Sequence, residues 1–181
     1  MKLGVTASSI LAVSATTVTI AAFAASPYAG QESREIKALS PEDIGAYQAG
    51  RGMGLAKTAE LNGFAGPAHV LELATQLHLT NEQRALTEAL FASMSTKASV
   101  SGRLLVEKER ELDTLFATRT ITPARLASSL QEIGTLQAKI RDAHLEAHLA
   151  QDEILTPEQN VMYRQLRGYG GPEQAEHQHQ H

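Results

Sequence analysis

The chain contains no cysteine and no tryptophan, and aromatic residues make up only 4% of it. Without thiols there can be no disulfide, no thiolate ligand and no cysteine nucleophile, so stability must come from packing. So few rings disfavour base stacking and a large aromatic-lined pocket. A basic excess is missing too, with 16 Lys and Arg against 20 Asp and Glu. That balance is a poor electrostatic footprint for nucleic acid or anionic lipid, and no nucleic-acid partner is expected. No GxSxG, HExxH or Gly-rich phosphate motif is present, and no enzyme is expected. Gly50-Arg51-Gly52-Met53-Gly54 lacks the preceding strand and the following GK[ST] of a phosphate loop and reads as a flexible connector. The mixed charges of Glu107-Lys108-Glu109-Arg110-Glu111 read as a solvated helix face with i,i+4 pairs, not an acid/base dyad.

What is there begins with an apolar segment. Lys2 is the sole charge before Glu32, and it precedes a small and apolar run from Leu3 to Phe23 that ends in Ala22-Phe23-Ala24. This is the pattern of a signal peptide over residues 1–24, cleaved near Ala24, and secretion across an inner membrane into the periplasm is expected; the competing reading is an uncleaved signal anchor, against which the run's many Ser and Thr residues argue. Removing Lys2 takes 16 basic residues to 15 against 20 acidic ones, a mature net charge of −5. No other stretch is long and apolar enough to span a bilayer, so no membrane span is expected after cleavage.

Helix punctuation organises the remainder. Ser40-Pro41-Glu42-Asp43 can cap a short helix through roughly Tyr47, which Gly50, Gly52 and Gly54 then break, so residues 25–65 read as an extended arm with a short helix. From Pro67 the pattern turns helical, with Val70, Leu71, Leu73, Ala74 and Leu77 on one face. Leu79-Thr80-Asn81-Glu82-Gln83 and Leu155-Thr156-Pro157-Glu158-Gln159 are two copies of one box, 76 residues apart. In each, Thr is placed to be an N-cap, and Gln three residues on can reach back to the Thr N–H. Pro157 sits where a proline sacrifices no hydrogen bond, and each leading leucine can serve as a hydrophobic staple.

The helix opened at Thr80 meets no proline before Pro123, though its apolar stripe weakens between Lys97 and Gly102, where a bend or local loss of order is expected. Thr122-Pro123 opens another long helix after the short Arg119-Thr120-Ile121 turn. A connection this short joins antiparallel neighbours, and each helix would run roughly 40–55 Å. The fold class is therefore all-α, an elongated antiparallel helical hairpin with shorter flanking helices over residues 66–168. Residues 169–181 form a Gln- and His-rich tail with too little apolar content to fold alone.

On the second long helix, Leu126, Leu130, Ile133, Ile140 and Ala147 share one side. His144 falls on that side and His148 nearer its edge, one turn apart. Two imidazoles at i and i+4 can grip one divalent transition ion such as Zn, Ni, Co or Cu. Further ligands would come from His69, His78, Glu88, a carboxylate on the facing helix or a second subunit. The bland alternative makes His144 a packing residue and His148 a solvated one. His177, His179 and His181 alternate with glutamine and form either a second, weaker chelator or a solubilising tail.

A secreted, cysteine-free helical chain with Leu-Thr-x-x-Gln at 79–83 and 155–159 bracketing a long hairpin resembles the periplasmic Spy/CpxP superfamily. That group includes heavy-metal sensor and resistance proteins of the CnrX and ZraP kind. The resemblance covers about Gly66 to Gly168. It implies a helical hairpin dimerised into a curved cradle, acting in envelope stress, metal sensing or ATP-independent chaperoning. The implied partners are a second copy, unfolded periplasmic proteins or a membrane stress-signalling protein. Metal-sensing relatives carry a histidine shortly before the second box, with another ligand four residues along, as His144 and His148 stand here. Their remaining ligands, a histidine before the first box and a glutamate after it, fall nearest His69 and Glu88. The expected function is a non-enzymatic stress protein that binds divalent transition metals, with a holdase chaperone as the alternative.

Overall fold

The structure, a computed structural model, describes residues 26–169. The expected signal peptide and the tail histidines His177, His179 and His181 lie outside the described residues. The chain divides into a unit of residues 1–32 and a unit of residues 33–181. In the first, Tyr28 N–H donates to Ser26 Oγ at 3.2 Å, and the Gln31 side chain donates to Pro27 O at 3.2 Å. A single 3₁₀ turn occupies Gln31–Ser33.

Six α-helices follow, with no strand among the described residues: α1 Pro41–Gln48, α2 Lys57–Leu61, α3 Pro67–Glu72, α4 Asn81–Ala117, α5 Pro123–Ile154 and α6 Pro157–Leu166. The caps form as the sequence spells them. Ser40, Thr80 and Thr156 each complete a capping box, with Asp43, Gln83 and Gln159 respectively. Thr122 Oγ1 accepts from Arg125 N–H at the start of α5. Among the described residues, no helix is long and apolar enough to cross a membrane.

α4 and α5 pack as an antiparallel hairpin. Gln83 reaches Ile154, Gln151 reaches Thr87, Lys97 pairs with Glu146, and Lys108 pairs with Glu132. Their shared core is Ala98, Leu105, Ile133, Ile140 and Ala143, closed over by Tyr47 and Leu55 of the arm together with Leu112 and Leu136. A second core of Ala65, Val70, Leu77, Leu155 and Tyr163 lies where α3 and α6 meet, with Leu79 packed against it. Leu79 and Leu155 thus reach the same cluster from the two boxes.

Four expectations need correction. α4 runs unbroken through Lys97 to Gly102, and the thin stripe there is the seat of the arm. A Cβ on Gly102 would overlap the Tyr47 carbonyl, and one on Gly50 would stand 2.7 Å from Ser95 O. Small residues are needed because backbone approaches backbone at this crossing. The Gly50–Gly54 segment is likewise folded: Gly50 N–H bonds Tyr47 O at 3.1 Å and Arg51 N–H bonds Ala46 O at 2.9 Å, a Schellman end with Gly50 at φ 66°. The arm also carries α2 in addition to the expected short helix.

The helix opened by Pro67 stops at Glu72 instead of reaching the first box. Beyond it the chain turns through a second Schellman end at His78, φ 51°, with Leu79 N–H bonding Ala74 O at 3.1 Å. That turn delivers Thr80 to its capping position. Val70, Ala74 and Leu77 stay buried, so the apolar periodicity marked the right residues but not the helix end.

Candidate functional site

α5 presents His144 and His148 one turn apart, on the side that meets the arm. Both are buried, with 5% and 7% of their surface exposed. Neither is the solvated edge residue that the amphipathic pattern allowed for His148. Each ring lies against a glycine of the arm. A Cβ on Gly52 would stand 3.5 Å from His144 Cε1, and one on Gly66 would stand 2.9 Å from His148 Cε1.

The two rings differ in their bonding. His148 Nδ1 lies 2.8 Å from Phe64 O. A carbonyl can only accept, so Nδ1 carries the hydrogen, and the lone pair of the neutral ring is on Nε2. His144 Nε2 is fully buried and has no hydrogen-bond partner. Burial holds the His144 imidazole below its ordinary pKa, and the neighbouring His148 pushes in the same direction. The ring is therefore neutral at pH 7, the form in which imidazole binds a metal.

Glu60 of α2, which the sequence pattern did not single out, is the polar centre beside this pair. Its carboxylate accepts from Tyr163 Oη at 2.8 and 3.0 Å and from Arg167 Nε at 3.1 Å, and it lies 3.9 Å from His148 Nδ1. Tyr163 Oη in turn accepts from Gly66 N–H at 3.3 Å. Burial first, and then the bond to Glu60, pushes the Tyr163 phenol well above its usual range. The hydroxyl is a fixed donor, not a base. Glu60 lies in a short helix between turns, where no periodicity marks it as inward-facing; the buried Tyr163 opposite was the only available hint.

The other expected ligands stand apart from the pair. His69 of α3 bonds Glu72 through Nδ1 at 2.9 Å and is partly exposed. Glu88 of α4 is exposed, as is His78 in its turn. Among the described residues, no three His, Asp or Glu side chains gather closely enough to hold a metal ion. What the fold supplies is two imidazoles on one buried helix face, one with an unmet nitrogen and the other bonded through Nδ1 to a backbone carbonyl.

Beside this site the two sequence boxes meet. Gln83 Nε2 donates to Gln159 Oε1 at 2.8 Å, and Gln159 Nε2 donates back to Gln83 Oε1 at 3.0 Å. Each oxygen also accepts its own N-cap N–H, from Thr80 at 3.1 Å and from Thr156 at 2.9 Å. Each nitrogen also donates to a helix-end carbonyl, Ile154 O or Leu77 O. The pair of boxes is one reciprocal clasp that holds the open end of the hairpin.

No family model, no curated protein and no solved structure matches the chain. The resemblance to the Spy/CpxP superfamily therefore rests on the two boxes and the hairpin between them.

Proposed function

We propose that this chain is a non-enzymatic periplasmic stress protein of the Spy/CpxP type that binds a divalent transition ion at His144 and His148. One observation carries the reading: His144 Nε2 is buried without a partner, one turn from a histidine whose Nδ1–H is tied to a backbone carbonyl. Metal-binding histidines are commonly oriented in this way, with one ring nitrogen bonded to a carbonyl and the other left for the ion. A buried ring nitrogen without a partner costs free energy, and coordination would remove that cost. Two imidazoles suit Zn, Ni, Co or Cu better than Mg or Ca. The remaining positions would be filled by water, by His177, His179 or His181 of the tail, or by a second copy. Secretion rests on residues 1–24, and the metal would be met in the envelope.

The test is calorimetric titration of Zn into the protein carrying His177→Ala/His179→Ala/His181→Ala, so that the tail makes no contribution. Saturable binding that disappears with His144→Ala/His148→Ala is the expected result. Binding that persists in that double variant would move the ion elsewhere.

A second reading, a holdase for unfolded proteins, is favoured by a groove of about 590 Å³ lined by Leu112, Phe116 and Ala117, and by exposed Leu86, Phe91 and Leu104 on α4. It calls for chelator-insensitive suppression of a model client's aggregation.

A further inference from the structure

We propose that residues 33–66 form a releasable strap, and that strap closure and metal loading at His144/His148 oppose each other. This rests on the metal reading above and adds to it the moving part. In the closed form, the ring of His144 is covered by Gly52, and His148 is held between Phe64 O and Gly66. His144 Nε2 is sealed from solvent. Both histidines belong to α5 and border the stripe of Ile140, Ala143 and Gln151 that packs on α4, and the arm closes over the side that α4 leaves open. A transition ion needs about four ligands. In the closed form no three His, Asp or Glu among the described residues gather to hold an ion, and Glu60, 3.9 Å from His148 Nδ1, is already held by Tyr163 and Arg167. An ion bound there would be stripped of water without replacement, whereas lifting the arm admits water to complete its shell. The ion therefore binds the open form better, and a ligand shifts an equilibrium by its differential affinity for the two states.

The arm is built to come off as a unit. Its helices have 8 and 5 residues, far below the length at which an isolated helix holds in water, so their order depends on docking. Docking relies on the backbone crossing at Gly102, on the Tyr47 and Leu55 contacts, on Asp113, which accepts Lys37 N–H and Lys37 Nζ at 3.1 Å each, on the Arg110–Glu35 pair at 2.9 Å, and on Glu60, held by Tyr163 and Arg167. The Gly102 and Asp113 anchors do not touch the imidazoles, so the strap can be loosened at either without altering the ligands. Linkage is reciprocal: if the ion releases the strap, loosening the strap must tighten the ion.

Two variants loosen it. Gly102→Ala places a methyl on the Tyr47 carbonyl while improving the propensity of α4. Asp113→Ala removes the Lys37 anchor and is neutral for the helix, so it carries the comparison should Gly102→Ala fold poorly. Each is titrated with Zn in the tail-histidine background, and Zn affinity should rise by about tenfold, within the usual range of site coupling. In parallel, the cysteine-free chain accepts spin labels at Gln48→Cys and Arg103→Cys, both exposed positions. Zn should lengthen their separation, and should leave it unchanged with His144→Ala/His148→Ala. Zn binding with unchanged separation and unchanged affinity in both variants would overturn the strap while leaving the metal reading in place. Absence of Zn binding in the parent and in both loosened variants would overturn the two together. Binding seen only in the loosened variants would support the strap as a closed gate.

Discussion

At the scale of single residues, the two glutamines show what a capping rule leaves out. A capping box accepts Glu or Gln at its third position, because either side chain can take the N-cap N–H. Here Gln83 must also donate, to Gln159 Oε1 and to Ile154 O. Gln83→Glu keeps the box but turns both donated bonds into oxygen facing oxygen. It should cost about 1–3 kcal/mol in chemical denaturation, the range for stranding partly buried polar groups. A glutamate tolerated without loss would show that the reciprocal bonds contribute nothing. The caps themselves were legible in the sequence, since Thr80, Thr156 and Ser40 act within four residues of chain. The clasp was not, because its partners are 76 positions apart and nothing local records their meeting. His144 and His148 were legible as a face through the helical period, but their depth was not, since the arm that buries them carries no matching pattern.

At the scale of elements, the arm is where sequence reasoning met its physical limit. Apolar periodicity registers large side chains, whereas the arm docks through small ones at Gly50, Gly52, Gly66, Ala98 and Gly102. Those residues look like breaks when read one element at a time. Their roles are not equal, and the distances rank them. At Gly66 a methyl would meet the ring of His148 at 2.9 Å, and that ring is tethered to Phe64 O. Gly66→Ala should therefore destabilise the folded unit by about 1–3 kcal/mol, as overpacking does. At Gly52 a methyl would stand 3.5 Å from His144, an ordinary contact. Gly52→Ala should leave the thermal midpoint close to that of the parent. Similar losses at both positions would mean that glycine is needed for backbone freedom and not for the approach of a ring.

At the scale of the whole molecule, the fold class followed from three legible facts: two boxes that open helices, a long interval without proline, and one short turn. The pH dependence of stability follows instead from where the arm and hairpin place their carboxylates. Glu109 of α4 lines the groove beside Lys37, Leu112 and Phe116, and burial raises its pKa above the ordinary glutamate value. The folded state therefore holds the Glu109 proton more tightly than the unfolded state does. That contribution is fully present below the unfolded value of about 4.5 and is lost as pH rises through the raised folded value. Asp43 acts in the opposite sense: its bonds with Ser40 lower its pKa, and what it adds is present above its unfolded value and fades as pH falls through the folded one. At neutral pH, then, Glu109 is charged at a cost while Asp43 is charged to advantage. Glu109→Gln keeps the shape and removes the charge, so it should raise the urea midpoint at pH 7.5 by more than at pH 4.5. An equal gain at both pH values would show that the amide improves packing alone, and that the ionised carboxylate in the groove carries no penalty.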